Sequence, residues 1–220
     1  MQVNIALLTV TDTRTLETDK SGAILVKKIK EQNHKLVDRK IVKDEKEKIK
    51  KILLDWTKKD NLDVIITTGG TGLTGRDITP EAIREIADKE IPGFGELFRE
   101  LSYKTIGTSA MQSRACAVLS NGKYIFALPG SSGGATDAWD GILKYQLDIN
   151  HKPCNFVELF PRLKEKWFWM KINSVKAMII ISLLIIILYV LGLFLPIIQN
   201  TKNSKIYNFL EKPIITLIFS

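Results

Sequence analysis

The sequence predicts an α/β domain, a doubly wound and mostly parallel sheet with helices on both faces, followed by a C-terminal transmembrane helix. Three observations predict it. Short apolar runs alternate with stretches of helical periodicity through the first 150 residues. Glycine-rich turns follow two of the apolar runs directly, and residues 178–198 carry no charge. Strand, turn and helix repeated in this way build parallel sheets covered on both sides.

The elements follow in order. Residues 3–10 are nearly continuously apolar, as befits a strand buried on both faces. In 20–32, Ile24, Leu25, Lys28 and Ile29 recur at helical spacing behind Asp19, a candidate cap. Residues 36–42 form a second, more polar strand. Asp44 is placed to cap a helix running through Lys59, with Ile49, Ile52, Leu53 and Trp56 on one face. Residues 62–67 (LDVIIT) read as another buried strand ending in glycines. Thr79-Pro80-Glu81 supplies a cap, a proline and an acid at a helix start. Further helices are expected over 95–104 and 136–147, with a strand over 123–128 leading into PGSSGG.

Beyond Arg162 the composition changes. Residues 163–177 form a basic and aromatic linker containing Trp167 and Trp169. At ~1.5 Å per residue, ~20 apolar residues cover a hydrocarbon core, so 178–198 reads as a membrane span followed by a short tail at 199–220. Lys164, Lys166, Lys171 and Lys176 precede this run, against Lys202, Lys205 and Lys212 after it, which points to a membrane-anchored protein with its folded domain in the cytoplasm. The alternative is a read-through fusion starting near Met170, leaving a cytoplasmic protein.

Half of the net charge of +8 lies in the last 50 residues, so the folded part is only mildly basic. With no basic stripe interleaved with aromatics, nucleic acid is not an expected partner. Cys116 and Cys154 lack the spacing of a zinc site or a disulfide framework. The N-terminal MQVNIALLTV has neither the basic flank nor the cleavage pattern of a signal peptide.

The chemistry concentrates in TTGGTGLTGRDITPEA at 67–82. Gly70, Gly72 and Gly75 satisfy G-x-G-x-x-G formally, yet four residues intervene before the helix, unlike a dinucleotide fingerprint. A Walker reading fails too, because Arg76 and Asp77 stand where Lys and Ser/Thr belong. What remains is a loop whose backbone N–H groups and Thr hydroxyls can converge on an anion. An acid inside such a loop suits a magnesium ligand, and the alternative is that Asp77 caps the next helix. The PGSSGG turn and Thr11-Asp12-Thr13-Arg14 add further loops of this kind, which suggests a ligand with phosphates at more than one position.

These residues resemble the molybdenum cofactor biosynthesis protein B/Mog family of molybdopterin-binding domains. The resemblance runs over about residues 1–162 and rests on LTVTDTRTLETDKSG at 8–22, IVKD at 41–44 and the 67–82 loop. It continues through EIPGFGELFRELSYKTIGTSAMQSRA at 90–115, LPGS at 128–131 and HKPCNF at 151–156. It implies adenylylation of molybdopterin by Mg-ATP, with ATP and molybdopterin as substrates, Mg²⁺ as cofactor and assembly as a homotrimer or homohexamer. Asp77 and Asp44 match the family's acidic residues for magnesium and catalysis. Thr68, Gly69, Gly70, Thr71, Gly72 and Thr79 fall in its phosphate-cradling segment. Ser109, Ser113, Arg114, Pro129, Gly130 and Ser131 fall in its substrate-binding loops. Two other readings are a non-catalytic molybdopterin binder and a membrane-tethered scaffold of the same pathway. Ser132-Gly133-Gly134 and the hydrophobic tail depart from the family pattern.

Overall fold

A computed structural model describes residues 1–163, 182–184 and 186–187. The chain divides into two compact units, Met1–Lys164 and Glu165–Ser220. In the first, β1 (Asn4–Val10), α1 (Lys20–Glu31), β2 (Lys35–Val42), α2 (Lys46–Thr57) and β3 (Val64–Thr68) alternate as expected. There follow α3 (Thr79–Arg84), β4 (Lys89–Glu90), α4 (Pro92–Ile106), β5 (Cys116–Ser120), β6 (Lys123–Leu128), α5 (Ser132–Ala138) and α6 (Lys144–Gln146). A 3₁₀ turn at Gly107–Gln112 extends α4, and a π-helical turn at Trp139–Leu143 joins α5 to α6.

The six strands are ordered β2-β1-β3-β6-β5-β4. The first four are parallel, while β5 runs antiparallel to both β6 and β4. The sheet is therefore mixed, with an antiparallel edge added to a parallel centre. Its inner strands alternate between two buried faces. Ile5, Leu7, Val64, Ile66 and Phe126 pack with Leu25 and Ile29 of α1, Phe94 and Phe98 of α4, and Ala135 and Ala138 of α5. Ala6, Leu8, Ile65 and Ile125 face the other way, onto Ile49, Leu53 and Trp56 of α2 and Ala82 and Ile83 of α3. Each such Leu or Ile, wholly removed from water, contributes about 1.5–3 kcal/mol before entropy is counted. This explains why the centre reads as unbroken apolar runs. From β1 the chain moves out to β2 and then returns to the opposite side of β1 as β3, so the carboxyl ends of β1 and β3 flank a switch point.

Helix starts differ from the sequence reading at two places. Asp19 does cap α1, accepting from the Gly22 amide at 2.9 Å. Asp44, however, does not cap α2, whose N-cap residue is Glu45 with no side-chain bond. Thr79 lies inside α3 after Ile78, and its hydroxyl turns back to the Gly69 carbonyl at 2.9 Å.

The expected transmembrane helix at 178–198, and the membrane-anchored localisation and membrane partner drawn from it, are corrected here. No helix among the described residues is long and apolar enough to cross a membrane. The helical residues described in that stretch are Ser182, Leu183, Leu184, Ile186 and Ile187. The rest of that stretch, the 163–177 linker beyond Leu163 and the 199–220 tail lie outside the described residues.

Candidate functional site

The site grows from the turns after β1, β2, β3 and β6. After β3 the chain reverses through Gly69 and Gly70, whose φ values of +106° and +64° lie where side chains are strained. A Cβ on Gly69 would collide with the Val10 carbonyl, and one on Gly70 with the Thr79 hydroxyl. Backbone bonds fix the turn: the Gly69 amide donates to Leu128 O, and the Thr79 amide to Gly70 O, each at 3.0 Å. Thr68, wholly buried, donates its hydroxyl to Pro129 O at 2.8 Å, joining the β3 turn to the β6 turn. The two turns are so close that a Cβ on Gly130 would stand 3.2 Å from the Gly69 Cα.

The rest of the glycine loop is held from beneath by Arg114. Its backbone amide donates to Thr71 O at 3.0 Å, and its Nε donates to Gly72 O at 2.6 Å. The guanidinium also reaches the Asp77 carbonyl and the Glu81 carboxylate. Arg114 thus works inside the loop, which the sequence reading, placing it in a substrate-binding segment, did not reveal. On the far side, Arg14 donates to Gly130 O at 3.0 Å and to the Ser21 hydroxyl at 3.1 Å. Behind it, buried Asp19 gathers Thr9 Oγ1 at 2.6 Å and Arg39 Nη2 at 3.0 Å.

The two sequence-predicted acids differ sharply in environment. Asp77 accepts from the Thr74 amide at 2.9 Å and the Thr74 hydroxyl at 2.6 Å, closing its own loop rather than capping α3. Burial pushes its carboxyl up, but the Thr74 and Gly72 hydrogen bonds and the Arg114 charge outweigh this and leave it below the ordinary value. Asp44 is the reverse. Its Oδ1 is buried without a hydrogen-bond partner, 2.6 Å from where a Cβ on Gly70 would be. Burial, then the charges of Asp12 and Asp77, raise its carboxyl above the ordinary value, with Arg76 opposing them. Arg76 itself is ion-paired with Asp12 across the two loops.

Among the described residues no three His, Cys, Asp or Glu side chains are arranged to hold a metal ion by themselves. An unpartnered carboxylate oxygen beside a phosphate-type loop fits Mg²⁺, which takes one or two carboxylates and completes its shell with phosphate oxygens and water.

In front of these turns lies an open cleft of about 690 Å³. It brings together Gly70, Thr71, Gly72, Asp77, Ser113, Pro129, Gly130 and Ser131 of the expected residues. Thr68, Gly69 and Thr79 do not line the cleft but brace its turns, and Ser109, exposed on the 3₁₀ turn, does not line it either. The wall from α4, made of Phe98, Ser102, Thr105 and Ile106, was missed, as was Asp137 of α5. Phe98, Ser102, Thr105 and Ile106 recur at i, i+4, i+7 and i+8, a stripe readable in the sequence once the helix is carried past Lys104.

Residues 6–148 match the family described as the probable molybdopterin binding domain. This chain belongs to that family. The family member from Escherichia coli (strain K12) named molybdenum cofactor biosynthesis protein B is 45% identical over 161 residues, 73% of this chain and 93% of that protein. The Bacillus cereus protein of the same name is 47% identical over 147 residues, 66% of this chain and 87% of that protein. A crystal structure of a molybdenum cofactor biosynthesis protein B aligns at TM-score 0.68 and 42% identity, covering 76% of this chain and 98% of that one. The tungsten cofactor synthesizing protein MoaB from Pyrococcus furiosus aligns at TM-score 0.62 and 30% identity, covering 74% of this chain and 98% of that one. These molybdopterin-family likenesses cover the α/β unit, whose cleft and glycine turns are the site just described.

Proposed function

We propose that this member of a molybdenum cofactor biosynthesis family is a molybdopterin adenylyltransferase that uses Mg-ATP. The observation that carries the reading is the unpartnered Asp44 carboxylate, which does not line the cleft itself but lies beside Gly70, a lining residue that shares the cleft with a second glycine turn at Pro129-Gly130-Ser131. A terminal phosphate oxygen of molybdopterin forms a bond to the α-phosphorus of ATP. The bond from that phosphorus to the α–β bridging oxygen breaks, and pyrophosphate leaves with the electron pair. No covalent bond to the protein is required.

The chain's own part is alignment and charge management. Backbone N–H groups of Gly70 and Thr71 and of Ser132 and Gly133 face phosphate oxygens, while those of Gly72 and Gly134 are taken by Asp77 and the Ser131 hydroxyl, and Ser113 adds a hydroxyl donor. Pinning by Thr68, Thr79 and Arg114 fixes these donors before substrate arrives, so little reorganisation accompanies the reaction. Mg²⁺, held by Asp44 with Asp77 nearby, would neutralise phosphate charge. Assembly as a homotrimer or homohexamer belongs to the same proposal, and sedimentation of the purified protein tests it.

One observation favours a second reading, a non-catalytic molybdopterin binder: the Asp77 carboxylate is already engaged by Thr74. ATP labelled at the α-phosphate separates the two. An adenylyltransferase moves the label onto the pterin phosphate and stops when a chelator is added. A binder retains affinity for molybdopterin in chelator and transfers no label.

A further inference from the structure

The cleft extends well beyond the phosphate loops, and its far wall is chemically distinct. Along α5 the surface facing the cleft carries Ser131, Gly133, Gly134 and Asp137. A Cβ on Gly133 would meet nothing within 4 Å, so the floor is open at that point, while Gly134 lies against the Pro129 ring and the Ser131 hydroxyl. The opposite wall is the α4 stripe of Phe98, Ser102, Thr105 and Ile106. A slot with a glycine floor and a partly apolar wall accepts a flat ring lying against α5. At the end of that floor stands one carboxylate, Asp137, which among the described residues has no hydrogen-bond or ion-pair partner. Asp140, three residues on, is by contrast neutralised by Lys28 at 2.7 Å.

We infer that Asp137 determines specificity by reading the 2-amino-4-oxopyrimidine edge of the pterin. That edge presents two adjacent donors, the ring N3–H and the 2-amino group, which pair with the two oxygens of a carboxylate. Adenine presents a donor beside an acceptor on the corresponding edge, so the carboxylate repels half of it. The spacing agrees. Six residues separate Ser131 from Asp137, about 9 Å along the helix at 1.5 Å per residue. A fused pterin with a phosphate on the end opposite its 2-amino group spans a comparable length, so the phosphate reaches the Ser131 turn while the pyrimidine edge meets Asp137. The inference rests on molybdopterin being the ligand of this cleft and deepens that reading.

The test is a fluorescence titration of the full chain with 6-(hydroxymethyl)pterin phosphate and with the matching lumazine, in which an oxygen acceptor replaces the 2-amino donor. The wild type binds the pterin at least about tenfold tighter than the lumazine, as expected for donors paired with a charged acceptor. Asp137→Asn, which offers one donor and one acceptor, brings the two affinities within about twofold. A general loss of folding would weaken both ligands together, so the ratio isolates the edge contact. The inference is overturned if Asp137→Asn keeps the wild-type ratio, or if the wild type binds neither compound or shows no preference. Discrimination that persists without label transfer from ATP sinks the adenylyltransferase reading and leaves this one standing. Transfer in the wild type with an unchanged ratio in Asp137→Asn does the opposite.

Discussion

Replacing Arg114 by Met removes the guanidinium while keeping much of the stem that packs under the glycine loop. Two backbone carbonyls, Gly72 O at 2.6 Å from Nε and Asp77 O, lose a charged donor. Bonds of this kind contribute about 1.5–3 kcal/mol each when enclosed. The Arg114 side chain retains 27% of its exposure and Glu81 42%, so solvent screens the ion pair, which adds roughly 0.5 kcal/mol. Because the three contacts act together they do not add fully, and the expected destabilisation is about 3 kcal/mol. Urea unfolding followed by circular dichroism reads it directly. With a slope of about 2 kcal/mol per molar urea, the midpoint falls by about 1.5 M. Arg114→Lys, which keeps the charge but supplies a single flexible ammonium, falls between Met and wild type. A shift of less than about 0.5 kcal/mol in Arg114→Met would refute the claim that this residue holds the loop.

Other changes test other parts of the account. Burial, with Asp12 and Asp77 nearby, holds the Asp44 carboxyl above its unfolded value, so ionising it works against the fold. Asp44→Asn in chelated buffer therefore melts higher than wild type at neutral pH, and the difference disappears as pH falls below the ordinary carboxylate range; a lower melting point at neutral pH contradicts this. Asp19 is the opposite case. Burial alone would raise it, but hydrogen bonds from Thr9, Gly22, Arg39 and Ser21 outweigh burial and hold it below the unfolded value. Its contribution is present above the ordinary carboxylate value and lost as pH falls through the lowered one, and Asp19→Asn costs about 3 kcal/mol at neutral pH by leaving Arg39 unpaired. Gly69→Ala forces a side chain into positive φ and against the Val10 carbonyl, lowering stability by roughly 2–4 kcal/mol. Gly75→Ala, with open space around it and no positive φ, stays within about 0.5 kcal/mol of wild type in the same melt.

The central strands and the glycine turns were legible in the sequence because each obeys a local rule. Unbroken apolar runs such as LDVIIT announce strands covered on both faces, and 123–128 reads directly as β6. Asp19 was legible as a cap because its partner lies three residues away. The antiparallel edge was not. β4 has only two residues, Lys89 and Glu90, both exposed, and its existence depends on pairing with Val118 and Leu119. Arg114 and Asp137 were illegible in their actual settings for a related reason. Arg114 lies 42 residues from Gly72 in the chain, and Asp137 has no local partner to mark it. Asp44 looked like a helix cap, since Asp before a periodic segment commonly is one. Its position over the Gly70 turn is set by the neighbouring loops, which no local pattern encodes. The apolar run at 178–198 met the length rule for a membrane span, yet no helix among the described residues bears that expectation out.

The central claim is that the cleft joins adenylate to molybdopterin, and pyrophosphate release tests it most directly. Purified protein supplied with molybdopterin and Mg-ATP should release one pyrophosphate for each pterin adenylylated, and Asp44→Asn and Asp77→Asn should both remain folded and lose this turnover. Folded wild-type protein that binds molybdopterin tightly yet releases no pyrophosphate would contradict the account and make the cleft a binding site alone.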